Sequence, residues 1–292
     1  MHSWECEMSA LVSIVMPSYN TGRFIAESIR SVMAQTYTNW ELIIVDDCST
    51  DNTMDVLSSL CHPERNEVES KDLASRIRVL QNATNSGAAV SRNRALREAR
   101  GKYIAFLDSD DLWAPDKLEK QIHFMEENGY DFTYTKYNEI DESGAALGVV
   151  VGGPAHIGKT GMYNYCWPGC LTVMYNREVV GDIQIADIKK NNDYAMWLKI
   201  IRKAKCHLLP EVLASYRKRT GSISHDCHSE RSVAKSKNPA IRLPRSLALI
   251  KWHYKLYREA EGMNPISSLW ITVRNLFFGV MKKFLYVGRN GI

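Results

Sequence analysis

Leu11 to Met16 (LVSIVM) is an almost unbroken apolar run, rich in β-branched residues, that stops at Pro17. With so little polar alternation, it predicts a strand buried on both faces, as in a parallel sheet. Trp40 to Val45 (WELIIV) repeats the pattern and ends in Asp46 and Asp47. Arg76 to Gln81 and Tyr103 to Leu107 supply two more strands. Between these runs the period changes. Phe24, Ile25, Ile29, Val32 and Met33 fall at helical spacing within Arg23–Thr36. Ser49, Thr50 and Asp51 offer caps for a helix over Asn52–Leu60, and the Ala- and Arg-rich stretch Gly87–Arg100 reads as a helix stopped by Gly101. Strands alternating with helices predict an α/β fold with an open, mostly parallel sheet flanked by helices.

Ligands bind such sheets at the carboxyl ends of the strands. Three polar clusters sit there: Pro17–Asn20, Asp46–Asp47 and Asp108–Asp110. The last opens the run DSDD, where three carboxylates follow an apolar strand. Like charges that close need compensation. A divalent cation would supply it, since oxygen ligands one residue apart suit Mg²⁺ or Mn²⁺ held together with phosphate oxygens. The competing reading is a solvated acidic turn capping the next helix.

Beyond Pro115, KLEKQIHFMEENG has the pattern of an amphipathic helix ending at Gly129. Phe132–Tyr137, Leu171–Asn176 and Cys206–Tyr216 are further strand candidates, and Glu142–Gly161 reads as loops or a hairpin. A short helix, Tyr194–Ile201, follows Asn191, Asn192 and Asp193. The charged stretch at 61–75 has no period and reads as a solvent-exposed insertion without a chemical role. From about Asp226 the chain turns basic, with a helix over Leu247–Glu261. Ile266–Tyr286 is apolar and aromatic but interrupted by Arg274, Lys282 and Lys283, which is unlike a membrane span. Leu269, Val273, Leu276, Val280 and Phe284 share one face, so a helix over 266–286 in contact with the inner-membrane surface is one reading; packing against the protein or a second subunit is the other.

The whole-chain balance, 37 Lys and Arg against 33 Asp and Glu, is too mild to suggest a nucleic-acid partner. Seven scattered cysteines argue against a disulfide framework and for a reducing compartment, and Cys166 and Cys170 lack a second Cys/His pair for zinc. The amino-terminal MHSWECEMSA has no apolar core and is not expected to be a signal peptide.

MPSYN (Met16–Asn20), VDDCSTD (Val45–Asp51), NSGAAVSRNRAL (Asn85–Leu96), YIAFLDSDDLWAP (Tyr103–Pro115) and NNDYAMWL (Asn191–Leu198), in this order, resemble the motifs of family 2 glycosyltransferases. The resemblance runs from about Leu11 to His225. It implies a GT-A fold over 11–225, with 1–10 an amino-terminal extension and 226–292 a basic helical extension. It also implies an inverting, metal-dependent transfer of sugar from a nucleotide-diphospho-sugar, a UDP-sugar foremost, to a glycan or lipid-linked acceptor. The setting implied is bacterial cell-surface polysaccharide or lipopolysaccharide synthesis, in the cytoplasm or peripheral on the cytoplasmic face of the membrane. A homo-oligomer is compatible with the sequence. The last motif departs from the family's usual Glu-Asp pair, reading Asn192-Asp193. The Gln-x-x-Arg-Trp motif and membrane spans of processive synthases are missing.

Carried over by resemblance, Pro17, Tyr19, Asn20, Asp46, Asp47, Arg92, Asn93 and Asp108 bind the nucleotide sugar. Asp47 accepts a hydrogen bond from uracil, and Arg92 serves the diphosphate or Asp108. Asp110, with Asp108, holds Mn²⁺ or Mg²⁺, while Asp111 caps the next helix. Asp193 is the general base. Arg217, Arg219 and His225 are candidates for a loop over the donor. Trp167 either stacks on the acceptor or belongs to the core. Rival classes fit less well. SYNTGRF is a poor nucleotidyltransferase signature, and no GxGxxG follows Met16. A catalytically inactive nucleotide-sugar-binding or membrane-tethering protein of the same fold is the alternative; the retained Asp47, Asp108, Asp110 and Asp193 argue against it.

Overall fold

The computed structural model describes residues 9–61, 75–188, 190–219 and 245–289. The apolar runs become β1 (Val12–Ser18), β2 (Trp40–Asp46), β3 (Ile77–Gln81) and β4 (Tyr103–Phe106), in spatial order 3-2-1-4 and all parallel. β1, β2 and β4 are buried along their whole length. The crossover helices are α1 (Ile25–Met33), α2 (Thr53–Cys61) and α3 (Ala88–Glu98). Side chains alternate across β1: Val12, Ile14 and Met16 pack with Ile25, Ile29 and Val32 of α1, while Val15 packs with Ala89, Ala95 and Leu96 of α3. Burying such aliphatic side chains stabilises the fold by roughly 1.5–3 kcal/mol each.

The amino ends of these strands are tied by charge. Glu41 accepts from the Ser13 hydroxyl at 2.6 Å and from Arg100 Nη2 at 2.8 Å. Burial would raise the Glu41 pKa, yet Ser13 and Arg100 together hold it below the usual value. Gly101 does more than stop α3. A Cβ there would lie 2.6 Å from both the Leu11 carbonyl and the Ser13 amide.

The second half of the sheet is mixed. It contains β5 (Leu112–Trp113), β6 (Phe132–Ile140), β7 (Ala146–Val151), β8 (His156–Ile157), β9 (Met174–Asn176) and β10 (Cys206–Arg217). β9 is antiparallel to both β4 and β6, and β10 runs parallel to β6. The expected hairpin in Glu142–Gly161 is β7, which returns antiparallel along β6, followed by β8. The expected strand at Leu171 starts later, because Cys170–Thr172 form a 3₁₀ turn. Helices here are α4 (Lys117–Asn128), α5 (Lys159–Asn164), α6 (Arg177–Val180) and α7 (Asn192–Ile200).

At the carboxyl end lie α8 (Arg245–Lys255), a π turn at Leu256–Ala260, α9 (Pro265–Leu285) and β11 (Val287–Arg289). β11 joins the sheet antiparallel to β7. α9 packs against α5, and its polarity is reversed relative to α1. Ser268, Thr272, Asn275 and Lys282 are its buried residues, whereas Ile266, Trp270, Phe277 and Phe284 are 61–83% exposed. No helix among the described residues is long and apolar enough to cross a membrane. Of the expected insertion at 61–75, residues 62–74 lie outside the described residues.

Candidate active site

β4 delivers Asp108 to the carboxyl edge of the sheet, and α3, following β3, carries Arg92 to meet it. Arg92 is 6% exposed. Its Nη2 donates to Asp108 Oδ1 at 2.5 Å and its Nη1 to Asn192 Oδ1 at 3.0 Å. One guanidinium therefore links the end of β4 to the start of α7, where Asp193 stands. Burial alone would lower the Arg92 pKa; the charges of Asp108 and Asp193 outweigh it and keep the group cationic. Among the described residues its buried Nε has no hydrogen-bond partner.

Asp193 accepts from the Tyr194 amide at 2.8 Å. Burial pushes its pKa above the usual 3.8, against the pull of Arg92 and that amide, and Asp108 adds to the rise. The preceding Asn191 adopts a left-handed backbone (φ 59°), which sets the sharp entry into α7.

Asp110 is paired separately. Arg219 Nε donates to its Oδ2 at 2.5 Å. Burial and the neighbouring Asp108 raise the Asp110 pKa, and Arg219 opposes them. Whether this pair suits a divalent cation can be tested on the donor set. Among the described residues, Asp108 Oδ2 and Asp110 Oδ1 accept no protein hydrogen bond, so each carboxylate keeps one hard oxygen free. Among the described residues, no group of three or more His, Cys, Asp or Glu gathers around them. Two protein oxygens with remaining positions left to water and phosphate suit Mg²⁺ or Mn²⁺, and the residues fit.

Other residues expected at the site are placed differently. Asp47 is 3% exposed and clamps the turn before α3. It accepts from Asn82 Nδ2 and the Ser86 amide on one oxygen and from the Gly87 amide, at 2.7 Å, on the other. A carboxylate offers about four acceptor positions, so roughly one remains for a base. Gly87 (φ 90°) has the freedom this turn requires. Asp46 binds the amide and hydroxyl of Ser49, and Asn20 Oδ1 accepts from the Thr50 amide at 2.8 Å. Both brace the turn that follows β2. Pro17 is buried within β1, and Tyr19, 44% exposed, stands just past its end.

Three expectations are corrected, and for Trp167 one of two readings is met. Asn93 does not face the donor side; both ends of its amide pair with the Ile185 backbone, because it lies about 100° around α3 from Arg92. Asp111 does not cap the next helix, whose N-cap is Asp116; it accepts from the Arg217 amide at 2.9 Å. Arg217 is not on a loop over the donor. It ends β10 at 1% exposure, donating to the carbonyls of Asp110 and Glu142 and to Glu27. Trp167 is a core residue, 6% exposed, packed edge-on against Tyr165, Phe278 and Tyr286. His225 lies outside the described residues. Asn192 and Asn82 carry no charge and drew no role from the sequence. The signal for each was its place, beside Asp193 and immediately after β3.

A parallel half-sheet whose strand ends present paired carboxylates, completed by a mixed half-sheet that brings in a further Asp, is the scaffold of GT-A sugar-nucleotide transferases. Residues 13–149 match the family model described as glycosyl transferase family 2. A protein of Bacillus subtilis, provisionally named as the teichuronic acid biosynthesis glycosyltransferase TuaG, is 37% identical over 94% of this chain and 97% of its own. The Escherichia coli UDP-Glc:alpha-D-GlcNAc-diphosphoundecaprenol beta-1,3-glucosyltransferase WfgD is 42% identical over 66% of this chain and 70% of its own. S. aureus TarS 1–349, crystallised with UDP-GlcNAc, superposes with a TM-score of 0.63 over 94% of this chain and 72% of its own at 21% identity, a likeness of fold. The chain belongs to the family 2 glycosyltransferases.

Proposed function

We propose that this enzyme transfers a sugar from a UDP-sugar, with inversion, to a hydroxyl of a lipid-linked acceptor during bacterial cell-surface polysaccharide synthesis. The observation that carries this reading is the Arg92 bridge between Asp108 and Asn192–Asp193. It gathers a diphosphate-side carboxylate and a candidate base into one cluster. The names of the relatives, one using UDP-Glc and a diphosphoundecaprenol-linked acceptor, support the substrate classes. Residues 11–225 are the catalytic unit, and 226–292 extend it. The place of action is the cytoplasmic face of the membrane.

In the reaction, Tyr19 lines the mouth where the nucleotide base enters, and the loop clamped by Asp47 shapes the wall beside it. The acceptor hydroxyl is a poor nucleophile at neutral pH. Asp193 takes its proton as the new bond forms at the anomeric carbon. Burial raises its pKa above the ordinary Asp value, which makes its carboxylate a stronger base than that of an exposed Asp. Arg92 orients Asp108 and, through Asn192, the start of α7. A divalent cation held by Asp108 and Asp110 would offset negative charge on the departing diphosphate. A single displacement by the hydroxyl, with Asp193 as base and not as nucleophile, gives inversion.

Calorimetric titration of UDP with and without Mn²⁺, on wild type and Asp110→Ala, tests the donor site. Binding should tighten with Mn²⁺, and that gain should vanish in the variant. No UDP binding under either condition would sink the UDP assignment. Turnover of UDP-Glc or UDP-GlcNAc with a GlcNAc-diphospholipid acceptor then separates an enzyme from a binding protein.

A further inference from the structure

α9 is built inside out. Along it, Ile266, Trp270, Val273, Phe277, Val280 and Phe284 are each more than half exposed. At 100° per residue they fall within a narrow stripe about 27 Å long. Ser268, Thr272, Asn275 and Lys282 lie on the opposite side, buried. The buried side is fixed by hydrogen bonds. Asn275 Nδ2 donates to the hydroxyls of Tyr194 and Tyr257, both at 3.3 Å, and Lys282 Nζ donates to the Trp167 carbonyl at 2.9 Å. The apolar stripe cannot be turned inward without breaking these bonds.

Charge says what covers the stripe. Arg274 and Lys283 lie on opposite flanks of it, about 80° to one side and 100° to the other. From Gly262 to Ile292 the sequence contains no Asp or Glu. Residues 226–292 hold twelve Lys and Arg against four Asp and Glu, so an overall charge of +4 leaves the remainder of the chain negative. Beside the stripe, between α5 and α9, is a cavity of about 330 Å³ lined by Lys159, Thr160, Asn164, Met263, Ile271 and Arg274. Glu261, which meets the cavity's Tyr163, is already bound by Arg202 and that Tyr163 hydroxyl. Lys159 and Arg274 form no ion pair among the described residues. Pairing two copies through this face would oppose like charges across a two-fold axis.

We infer that α9 seats the enzyme on an anionic lipid bilayer, its apolar stripe in the headgroup–acyl boundary and the Lys159–Arg274 cavity receiving a lipid phosphate. This surface goes beyond the proposed transfer reaction and does not require it. An apolar stripe flanked by cations lies in a membrane interface instead of crossing it. Anionic headgroups attract nearby Lys and Arg. Because Asn275 binds Tyr194, the residue after Asp193, docking through α9 sets α7 at a fixed position relative to the bilayer.

Flotation of the full chain with phosphatidylcholine vesicles, with and without phosphatidylglycerol, tests this. Wild type should float with the anionic vesicles. Phe277→Asp, and separately Arg274→Glu with Lys283→Glu, should each lower partitioning by at least ~10-fold. All are surface changes, so thermal melting in buffer should not move. Failure to float with anionic vesicles overturns the inference, as does equal binding to neutral ones. A solution dimer that Phe277→Asp dissociates, without vesicle binding, assigns the face to a second copy and overturns it too. UDP titration of the same samples keeps the readings apart: a protein that binds UDP but not vesicles loses only this surface, and the reverse loses only the donor assignment.

Discussion

Two polar networks meet on α7, one residue apart, and they are opposites. Asp193 faces Arg92 and Asp108 in a charged cluster that keeps free oxygens and an unpartnered guanidinium nitrogen. Tyr194 faces Tyr257 and Asn275 in a neutral cluster in which both hydroxyls donate to carbonyls, those of Met162 and Tyr163. Desolvation acts on both sides of the helix. It raises the pKa values of Tyr194, Tyr257 and Asp193 alike: in the neutral cluster it reinforces the uncharged, hydrogen-bonded hydroxyls, whereas in the charged one it works against the carboxylate. Saturated networks hold structure, whereas charged networks with unused capacity have something left to bind.

Substitutions can break this contrast. The largest effect should come from Asp193→Asn, which keeps shape and removes the base: kcat should fall about 10²–10⁴-fold in a sugar-transfer assay. Stability should move the other way. A carboxyl whose folded pKa is raised above 3.8 favours the fold below that value, and the benefit is lost as pH climbs through the folded pKa. As pH rises the wild type loses that benefit, and at pH 7 the melting temperature of Asp193→Asn should equal or exceed that of wild type. The wild-type kcat should fall on acidification at a pH above the ordinary Asp range. A profile set by an unperturbed carboxyl would count against the buried base.

Arg92→Lys comes next. A lysine offers one point charge and cannot span Asp108 and Asn192 together. A loss of about 10–100-fold in kcat/KM, at little cost in melting temperature, would match a role in positioning both partners. On the neutral side, Asn275→Leu removes one donor from two hydroxyls that keep other partners. Unfolding free energy in urea should drop by about 1 kcal/mol, and kcat by less than for Arg92→Lys. Tyr257→Phe should be comparable, within roughly 0.5–1.5 kcal/mol. Activity losses there as deep as at Asp193 would erase the contrast between the two networks.

The parallel half of the fold was legible because each strand announces itself as an apolar run and each helix as a change of period. The mixed half was less so. β5, β8 and β9 are two or three residues long and depend on partners distant in sequence. At the site, residue type and position at a strand end pointed to Asp108 and Asp110, and the family resemblance pointed to Arg92; the fold pairs Asp108 with Arg92 and Asp110 with Arg219. Side-chain direction beyond the strand end was not legible. Nothing local tells Asp47 to turn toward the Ser86 and Gly87 amides. Nor does anything local separate Asn93 from Arg92, neighbours in sequence on different faces of α3. Arg217 read as a loop cation because its burial depends on Phe24, Glu27 and the carbonyls of two turns.

The chain enters β3 at Ile77, which pairs with Leu42 near the amino end of β2, while the paired carboxylates sit at the opposite, carboxyl edge. The connection between Cys61 and Ser75 thus joins the sheet at the edge remote from chemistry. Longer loops cost closure entropy only slowly. That makes this joint the natural port for engineering: an affinity tag or a fluorescent reporter spliced between α2 and β3 should leave sugar transfer intact, where the same graft between β4 and α4 would abolish it.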